Sequence, residues 1–315
     1  MIVIGVDVGG TSIKGGAIND KGEVLDTFSL RTDRRALPEV TFGLIADAIN
    51  EFIKTHQYDE PYAGVGLGIP GLINQETGIV ASSPNLPTWL NFNIKTFLEE
   101  RIDLPIRVVN DASAAALGEA KFGCGKKHKY LLMITLGTGV GGGIVFNGQL
   151  IDGYMNMGAQ LGHSIIQVNG RPCSCGRKGC LEAYCSATAL VRETNRIIKY
   201  HPDTMMHQIV KEHGKVDARV AFMGDRLGDK YAHRLVEDYV KNLSEGLLSF
   251  CNIFRPEIIV LSGGVANEGD YLISRVKKYM EERDYGYKNA PEVIIKKAEL
   301  GYDSGKIGAA SLFFN

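Results

Sequence analysis

Apolar and polar positions divide the chain into strand-like runs and helical stretches. Ile2 to Val8 is apolar except at Gly5 and Asp7 and stops at Gly9-Gly10-Thr11, after which Ser12 to Ile18 resumes the run. Asn19-Asp20-Lys21-Gly22 is a turn signal, and Glu23 to Leu30 reads as a third strand. These runs predict an antiparallel meander ahead of any helix. From Pro38 to Lys54 the spacing becomes helical (Val40, Leu44, Ile45, Ala48, Ile49, Phe52), with Pro38 suited to a first turn. Ala63 to Ile69 returns to strand and halts at Pro70-Gly71. A loop holding Asn85, Leu86 and Trp89 follows, then a helix near Ile94 to Arg101. Ile106 to Val109 is a strand ending in Asn110-Asp111, and a small-residue helix starts at Ala112. The order βββαβαβα is α/β without the simple alternation of a doubly wound sheet.

The opening then recurs. Tyr130 to Leu136 is a strand, Gly137 to Gly143 a glycine turn, Ile144 to Phe146 a strand, and Asn147-Gly148 closes a hairpin. Matching openings imply two related domains facing one another across a cleft, where ligands tend to bind. The division expected is residues 1–115, with the C-terminal helix 303–315 packed back on them, and a larger domain of residues 116–302. Within the larger one, Ala187 to Tyr200 and Tyr231 to Phe254 read as long helices. Glu257 to Leu261 and Val293 to Lys296 read as strands, with a helix starting near Glu268 between them and a last helix over Gly305 to Phe314.

Composition narrows the field without choosing a function. Thirty-five basic and 36 acidic side chains in 315 residues create no sequence-wide field for nucleic acid or an anionic membrane. No stretch reads as a signal peptide or a membrane span, so a cytoplasmic protein is expected. Six cysteines are few for a disulfide scaffold. Cys124, Cys185 and Cys251 stand apart and are expected to be small buried hydrophobes.

Asp111 sits at the C-terminal tip of a strand, where parallel α/β sheets build their sites. It can be a catalytic base, or it can cap the helix that begins at Ala112. Three glycine turns end strands: Asp7-Val-Gly9-Gly10-Thr11, Thr135-Leu-Gly137-Thr138-Gly139-Val-Gly-Gly-Gly143 and Ser262-Gly263-Gly264. Turns of this kind expose backbone N–H groups that bind phosphate. A P-loop is excluded, because no Gly-x4-Gly-Lys-Ser/Thr run occurs. Gly137, Gly139 and Gly142 satisfy Gly-x-Gly-x-x-Gly, but a strand follows where a Rossmann turn needs a helix, which leaves an NAD-dependent dehydrogenase as an alternative only. A carboxylate at Asp7, beside a phosphate turn, suits Mg²⁺ or else caps the turn. Lys14 is read as a solvated strand residue. His163 with Cys173, Cys175 and Cys180 offers the four ligands of a closed structural zinc site, and Gly176 and Gly179 allow the tight turn this requires.

Together these motifs resemble the ROK family of sugar kinases and sugar-responsive repressors, within the hexokinase–actin–Hsp70 superfamily. The resemblance runs from Val6 to the C-terminus through Asp7–Thr11, Asn110-Asp111-Ala-Ser-Ala-Ala, Thr135–Gly143, Leu161-Gly-His163, Cys173–Glu182 and Ser262-Gly-Gly. It implies two actin-like ATPase domains, of the ribonuclease H-like kind, facing a central cleft. The implied reaction is ATP-dependent phosphorylation of a hexose at its 6-hydroxyl, most simply glucose, with Asp111 as base. Asn85, Asn110, Gln160, His163 and Glu182 would line the sugar. Asp7, Gly9, Gly10 and Thr11 with Thr135, Gly137, Thr138 and Gly139 would hold ATP and Mg²⁺, and Gly263 and Gly264 would lie near the adenosine. The family also implies a homodimer or homotetramer. N-acetylmannosamine, N-acetylglucosamine, fructose and β-glucosides are neighbouring substrates, and a sugar-binding regulator without kinase activity is the other class. A repressor is disfavoured, because the first phosphate turn follows the opening strand with no helix-turn-helix before it. The family reads Glu-x-Gly-His where this chain has Gln160-Leu-Gly-His163, and a neutral amide changes the pattern of hydroxyls it can bind.

Overall fold

The computed structural model describes residues 1–83, 86–286 and 289–314. The chain opens as expected with β1 (Ile2–Val8), β2 (Ser12–Asn19) and β3 (Val24–Arg31), an antiparallel meander. Helix α1 (Pro38–Thr55), strand β4 (Tyr62–Ile69), a small hairpin of β5 (Leu72–Ile73) and β6 (Val80–Ser82), α2 (Ile94–Glu99), β7 (Ile106–Asn110) and α3 (Asp111–Lys121) follow. The hairpin falls in what the sequence shows only as a loop, because strands of two and three residues are too short for alternation to register. The order β3-β2-β1-β4-β7 makes a mixed sheet, with β4 parallel to both β1 and β7.

Strands β8 (Tyr130–Leu136), β9 (Val140–Phe146) and β10 (Gln149–Leu150) repeat the opening. The glycine turn is shorter than expected, since Gly141, Gly142 and Gly143 already belong to β9. Then come α4 (Glu182–Cys185), α5 (Ala187–Tyr200), α6 (Met206–His213), α7 (Arg219–Arg226), α8 (Lys230–Phe254), β11 (Ile258–Ser262), α9 (Asp270–Glu281), β12 (Ile294–Lys297) and α10 (Ser304–Ala310). The second sheet runs β10-β9-β8-β11-β12, so each sheet places its strands in the sequence order third, second, first, fourth, fifth.

Contacts divide the described chain into two compact units. The first holds residues 1–132, 143–159 and 299–315, and the second holds residues 133–142 and 160–298. In the first unit, Ile2, Ile4, Val6 and Val8 alternate onto one face of the sheet and pack with Phe42, Ile45, Ile49 and Phe52 of α1 and Ile94 and Leu98 of α2. Val40 and Leu44, counted with the buried stripe in the sequence, are each 54% exposed. The stripe runs instead through Pro38, Thr41, Phe42, Ile45, Ala46, Ile49 and Phe52.

On the opposite face, Val3 and Ile18 meet Ile307, Ala310 and Phe314, and Val109 and Ala114 meet Ala309. Helix α10 therefore packs on α3 and on the sheet. Glycines permit this approach: a methyl at Gly308 would overlap the Ala114 carbonyl, and one at Gly118 would meet Ser304 O. Glu119, fully buried in α3, accepts from Leu300 N at 2.7 Å and from Cys124 N at 3.1 Å. Cys124 is thus not the buried hydrophobe expected: it is half-buried, with its thiol 3.4 Å from Glu119.

In the second unit α8 supplies the long apolar face, with Val236, Tyr239, Val240, Leu243, Leu247 and Phe250 buried. Asp229 caps it, accepting from Tyr231 N and Ala232 N at 2.8 Å. Among the described residues, no helix is long and apolar enough to cross a membrane.

Candidate active site and cysteine cluster

In the first unit the site is built where β7 runs directly into α3. Asn110, not Asp111, is the helix cap: its Oδ1 accepts from Ala112 N at 2.9 Å and Ser113 N at 3.2 Å. Its Nδ2 donates to Gly71 O at 2.9 Å. Asp111 is the first helical residue, and its Oδ1 accepts from Ala112 N at 2.9 Å. The capping alternative for Asp111 thereby falls away, because its neighbour satisfies the helix terminus. Burial pushes the Asp111 carboxyl above the usual carboxylate range, with the backbone hydrogen bonds opposing.

Asp7, one residue before the end of β1, is half-buried, and its carboxyl is raised to about 6. Burial is the main cause and the Asp111 charge adds to it, while Lys14 and Lys306 pull the other way. Lys14 faces Asp7 directly across the β1–β2 ladder, with Nζ 4.8 Å from the centre of the Tyr302 ring. It is half-buried, and the reading as a solvated strand residue is corrected. Lys306 was missed altogether. It is 5% exposed in α10, with Nζ on Asp303 at 2.7 Å, and no local pattern ties a lysine near the C-terminus to the first strand. Gly305 beside it was missed too; a methyl there would press on the Asp7 carboxylate.

The turn at Gly9, Gly10 and Thr11 is latched from the segment after β3. Thr32 Oγ1 donates to Gly9 O at 2.7 Å, and Arg34 Nε donates to Gly10 O at 2.5 Å. Asn85 lies outside the described residues.

The second unit latches its turn in the same manner. Ala187 N donates to Gly137 O at 2.8 Å, and Thr188 Oγ1 donates to Thr138 O at 2.7 Å. Thr135 braces the strands by accepting from Gly141 N at 3.1 Å. Gly139 lies against Glu182, whose Oε2 accepts from Val140 N at 3.0 Å and whose Oε1 accepts from Ser174 Oγ at 2.8 Å. Glu182 thus joins the glycine turn to the cysteine loop. Gly263 (φ 87°) follows β11 with its backbone against Leu136, and Gly264 is next in the chain. Gln160 is exposed and precedes the single turn Leu161–His163, whose Gly162 lies against Val140 O.

His163, Cys173, Cys175 and Cys180 bring their ligand atoms within 4.8 Å of one another. Gly176 (φ 86°) and Gly179 (φ 83°) occupy the left-handed conformation that the turn needs. The separations match a metal fit. Tetrahedral zinc with its ordinary bond lengths sets sulfur atoms about 3.8 Å apart and a sulfur and a nitrogen about 3.6 Å apart. Cys175 and Cys180 sulfurs are 3.7 Å apart, and Cys173 Sγ is 3.6 Å from His163 Nδ1. All six cysteines are free thiols.

Two sheets of one strand order, each opening on a strand, glycine turn and strand, define an α/β protein of two actin-like ATPase domains. Residues 3–315 match the ROK family, and the chain belongs to it. It is 36% identical over 312 residues to a glucokinase of Halalkalibacterium halodurans, covering 98% of this chain and 94% of that one. It is 35% identical over 313 residues to a glucokinase of Thermotoga maritima, covering 98% and 96%. A ROK family glucokinase from Streptomyces griseus, solved in complex with glucose and AMPPNP, superposes with a TM-score of 0.83 at 31% identity, covering 99% of each chain.

Proposed function

We propose that this protein is a glucokinase, an ATP-dependent hexose kinase that phosphorylates the 6-hydroxyl of glucose with Asp111 as general base. The observation that carries the base assignment is the division of labour at the α3 terminus. Asn110 caps, so the Asp111 carboxylate is not needed at the helix terminus and can take a substrate proton. Burial raises its basicity toward the range a general base needs. The carboxylate takes the proton from O6 as that oxygen attacks the γ-phosphorus. The bond from that phosphorus to the bridging oxygen of ADP breaks, and the proton stays on Asp111. Phosphoryl transfer is dominated by positioning and charge neutralisation, so one base suffices.

Gly9, Gly10 and Thr11, and Thr135, Gly137, Thr138 and Gly139, are assigned to the ATP phosphates. Gly9 N and Gly137 N already donate to Ser12 O and Gly139 O at 3.0 Å, so the N–H groups assigned to phosphate are those of Gly10, Thr11, Thr138 and Gly139. Gly263 and Gly264 are assigned to the adenosine. Lys14 and Lys306 supply positive charge beside Asp7. The half-buried Asp7 carboxylate, raised for want of full compensation, suits a hard dication. Mg²⁺ held there would neutralise phosphate charge in the transition state. His163 Nδ1 and the three thiolates would hold Zn²⁺ with all four positions filled, a structural role. That leaves His163 Nε2 for the sugar, with Asn85, Asn110, Gln160 and Glu182. The reading places the enzyme in the cytoplasm, consistent with its free thiols, and as a homodimer or homotetramer, which sedimentation velocity measures directly.

The test is sugar-dependent ADP release across glucose, fructose, N-acetylmannosamine, N-acetylglucosamine and β-glucosides. Glucose should give the highest kcat/KM, and the absence of turnover with every sugar would reject the kinase. Asp111→Ala should lower kcat by about a thousandfold or more while the fold and glucose binding persist. A variant that still turns over within about tenfold of the parent would remove Asp111 from the role of base.

A further inference from the structure

Asp152 belongs to none of the motifs above, yet it is 4% exposed and joins three segments of the first unit. Its Oδ1 accepts from Ser113 Oγ at 2.9 Å, and its Oδ2 accepts from Gln75 Nε2 at 2.6 Å. Ser113 is the third residue of α3, two beyond Asp111, and is itself 3% exposed. Gln75 lies in the loop between β5 and β6. The chain enters that hairpin at Gly71, whose carbonyl accepts from Asn110 Nδ2 at 2.9 Å. The hairpin and the start of α3 are therefore tied twice, once through Asn110 and once through Asp152.

A carboxylate suits this position. Both partners donate, and a side chain offering two acceptors and no donor meets both. Burial lifts the Asp152 carboxyl, and the two donated hydrogen bonds oppose that rise. The local backbone is built to place it. Residues 152–158 are pinched shut by Gly158 N donating to Asp152 O at 2.5 Å, with Gly153 at φ 71°. Met155 and Asn156 inside the loop, and Ala159 after it, also hold left-handed φ values of 54°, 58° and 54°. Such conformations cost non-glycine residues about 1–2 kcal/mol each, so the surrounding structure has to impose them.

We propose that Asp152 is a positioning residue for the catalytic base: by gripping Ser113 and Gln75 together it fixes the first turn of α3, and with it the direction of the Asp111 carboxylate. This rests on the kinase reading for its effect on rate, though the tether itself does not. In the full-length enzyme, Asp152→Ala and Ser113→Ala should each lower kcat by about ten- to a hundredfold, as expected for a misdirected reacting group. KM for glucose and for ATP should stay within about threefold, because no group that binds either is removed. The double variant should be no worse than Asp152→Ala alone, since Ser113 acts through Asp152. Asp152→Asn combined with Gln75→Glu exchanges donor for acceptor, restores both hydrogen bonds and should recover kcat. A kcat within about twofold of the parent, or no recovery by the exchange, overturns the proposal.

Hydrogen exchange supplies a readout independent of catalysis. Ser113→Ala and Asp152→Ala should both speed exchange over residues 111–116 and over 72–76 together. Unchanged exchange there overturns the tether whatever the activity. If the parent protein turns over no sugar but the exchange response is present, the kinase reading fails and the tether stands.

Discussion

Asp7 and Asp111 are carboxylates that the fold holds at a cost, and the sign of that cost can be measured. The Asp7 carboxyl titrates near 6 when folded against a reference of 3.8. Between about pH 4 and 6 the folded state therefore keeps a proton that the unfolded chain has released, and stability falls as pH rises through that window. Asp7→Asn removes the charge that is disfavoured. It should stabilise the ligand-free protein at pH 8 by up to about 3 kcal/mol, less solvent screening, at 1.36 kcal/mol per pKa unit. The gain should shrink toward zero as pH approaches 4, while phosphorylation falls sharply at every pH. Thermal unfolding at several pH values checks this. A pH-independent effect, or destabilisation at pH 8, would show that the Lys14 and Lys306 charges outweigh burial. At this scale the sequence is legible where chemistry and backbone signal coincide: Asp7 before Gly9-Gly10, and Asp111 at a strand tip. It is not legible where one residue serves another from far along the chain. Lys306 and Asp152 carry no local signature, because what defines them is the burial and the partners that folding supplies.

Among the elements, the cysteine loop shows most directly how a local motif reaches beyond itself. Gly176 and Gly179, at left-handed φ, bring Cys173, Cys175 and Cys180 to His163, and the spacing of these residues made the cluster readable before any fold was known. The role of Glu182 was less visible. Its two oxygens connect Ser174 in the loop to Val140 N at the end of the glycine turn, so the loop also shapes the turn assigned to phosphate. Cys175→Ser should lower zinc content to well below one per chain and speed hydrogen exchange over both residues 164–181 and 137–141. Unaltered exchange at 137–141 in a zinc-free variant would confine the metal to its own loop. The β5–β6 hairpin marks the opposite limit. Leu72 and Ile73 opposite Val80 and Ser82 are too few to show period two, and the pairing is set by tertiary contacts.

The molecule as a whole does not follow the order of its chain, and this decides what can be removed from it. The first unit is assembled from residues 1–132, 143–159 and 299–315, so the backbone passes between units four times. A cut before residue 299 takes only the last 17 residues from the chain. In the structure it strips the first unit of α10, whose Ile307, Ala309 and Ala310 are buried, and of the buried Phe314. It would expose Val3 and Ile18 on the sheet and Ala114 on α3. It also removes Leu300, the donor to the buried Glu119, and Lys306 beside Asp7. Each large apolar side chain lost is worth about 1.5–3 kcal/mol, and a donor taken from a buried carboxylate costs about 1–3 kcal/mol more. The sum is comparable with the whole stability of an ordinary domain, about 5–15 kcal/mol. A chain ending at Ala298 should therefore fail to fold its first unit, with rapid proteolysis between residues 1 and 132, and should phosphorylate nothing. The second unit keeps α8 and the core around it, so residues 160–298 should resist the same protease longer. Limited proteolysis with mass mapping separates the two outcomes. If the shortened chain were uniformly resistant and active, α10 would be an ornament on the sheet rather than one of its layers.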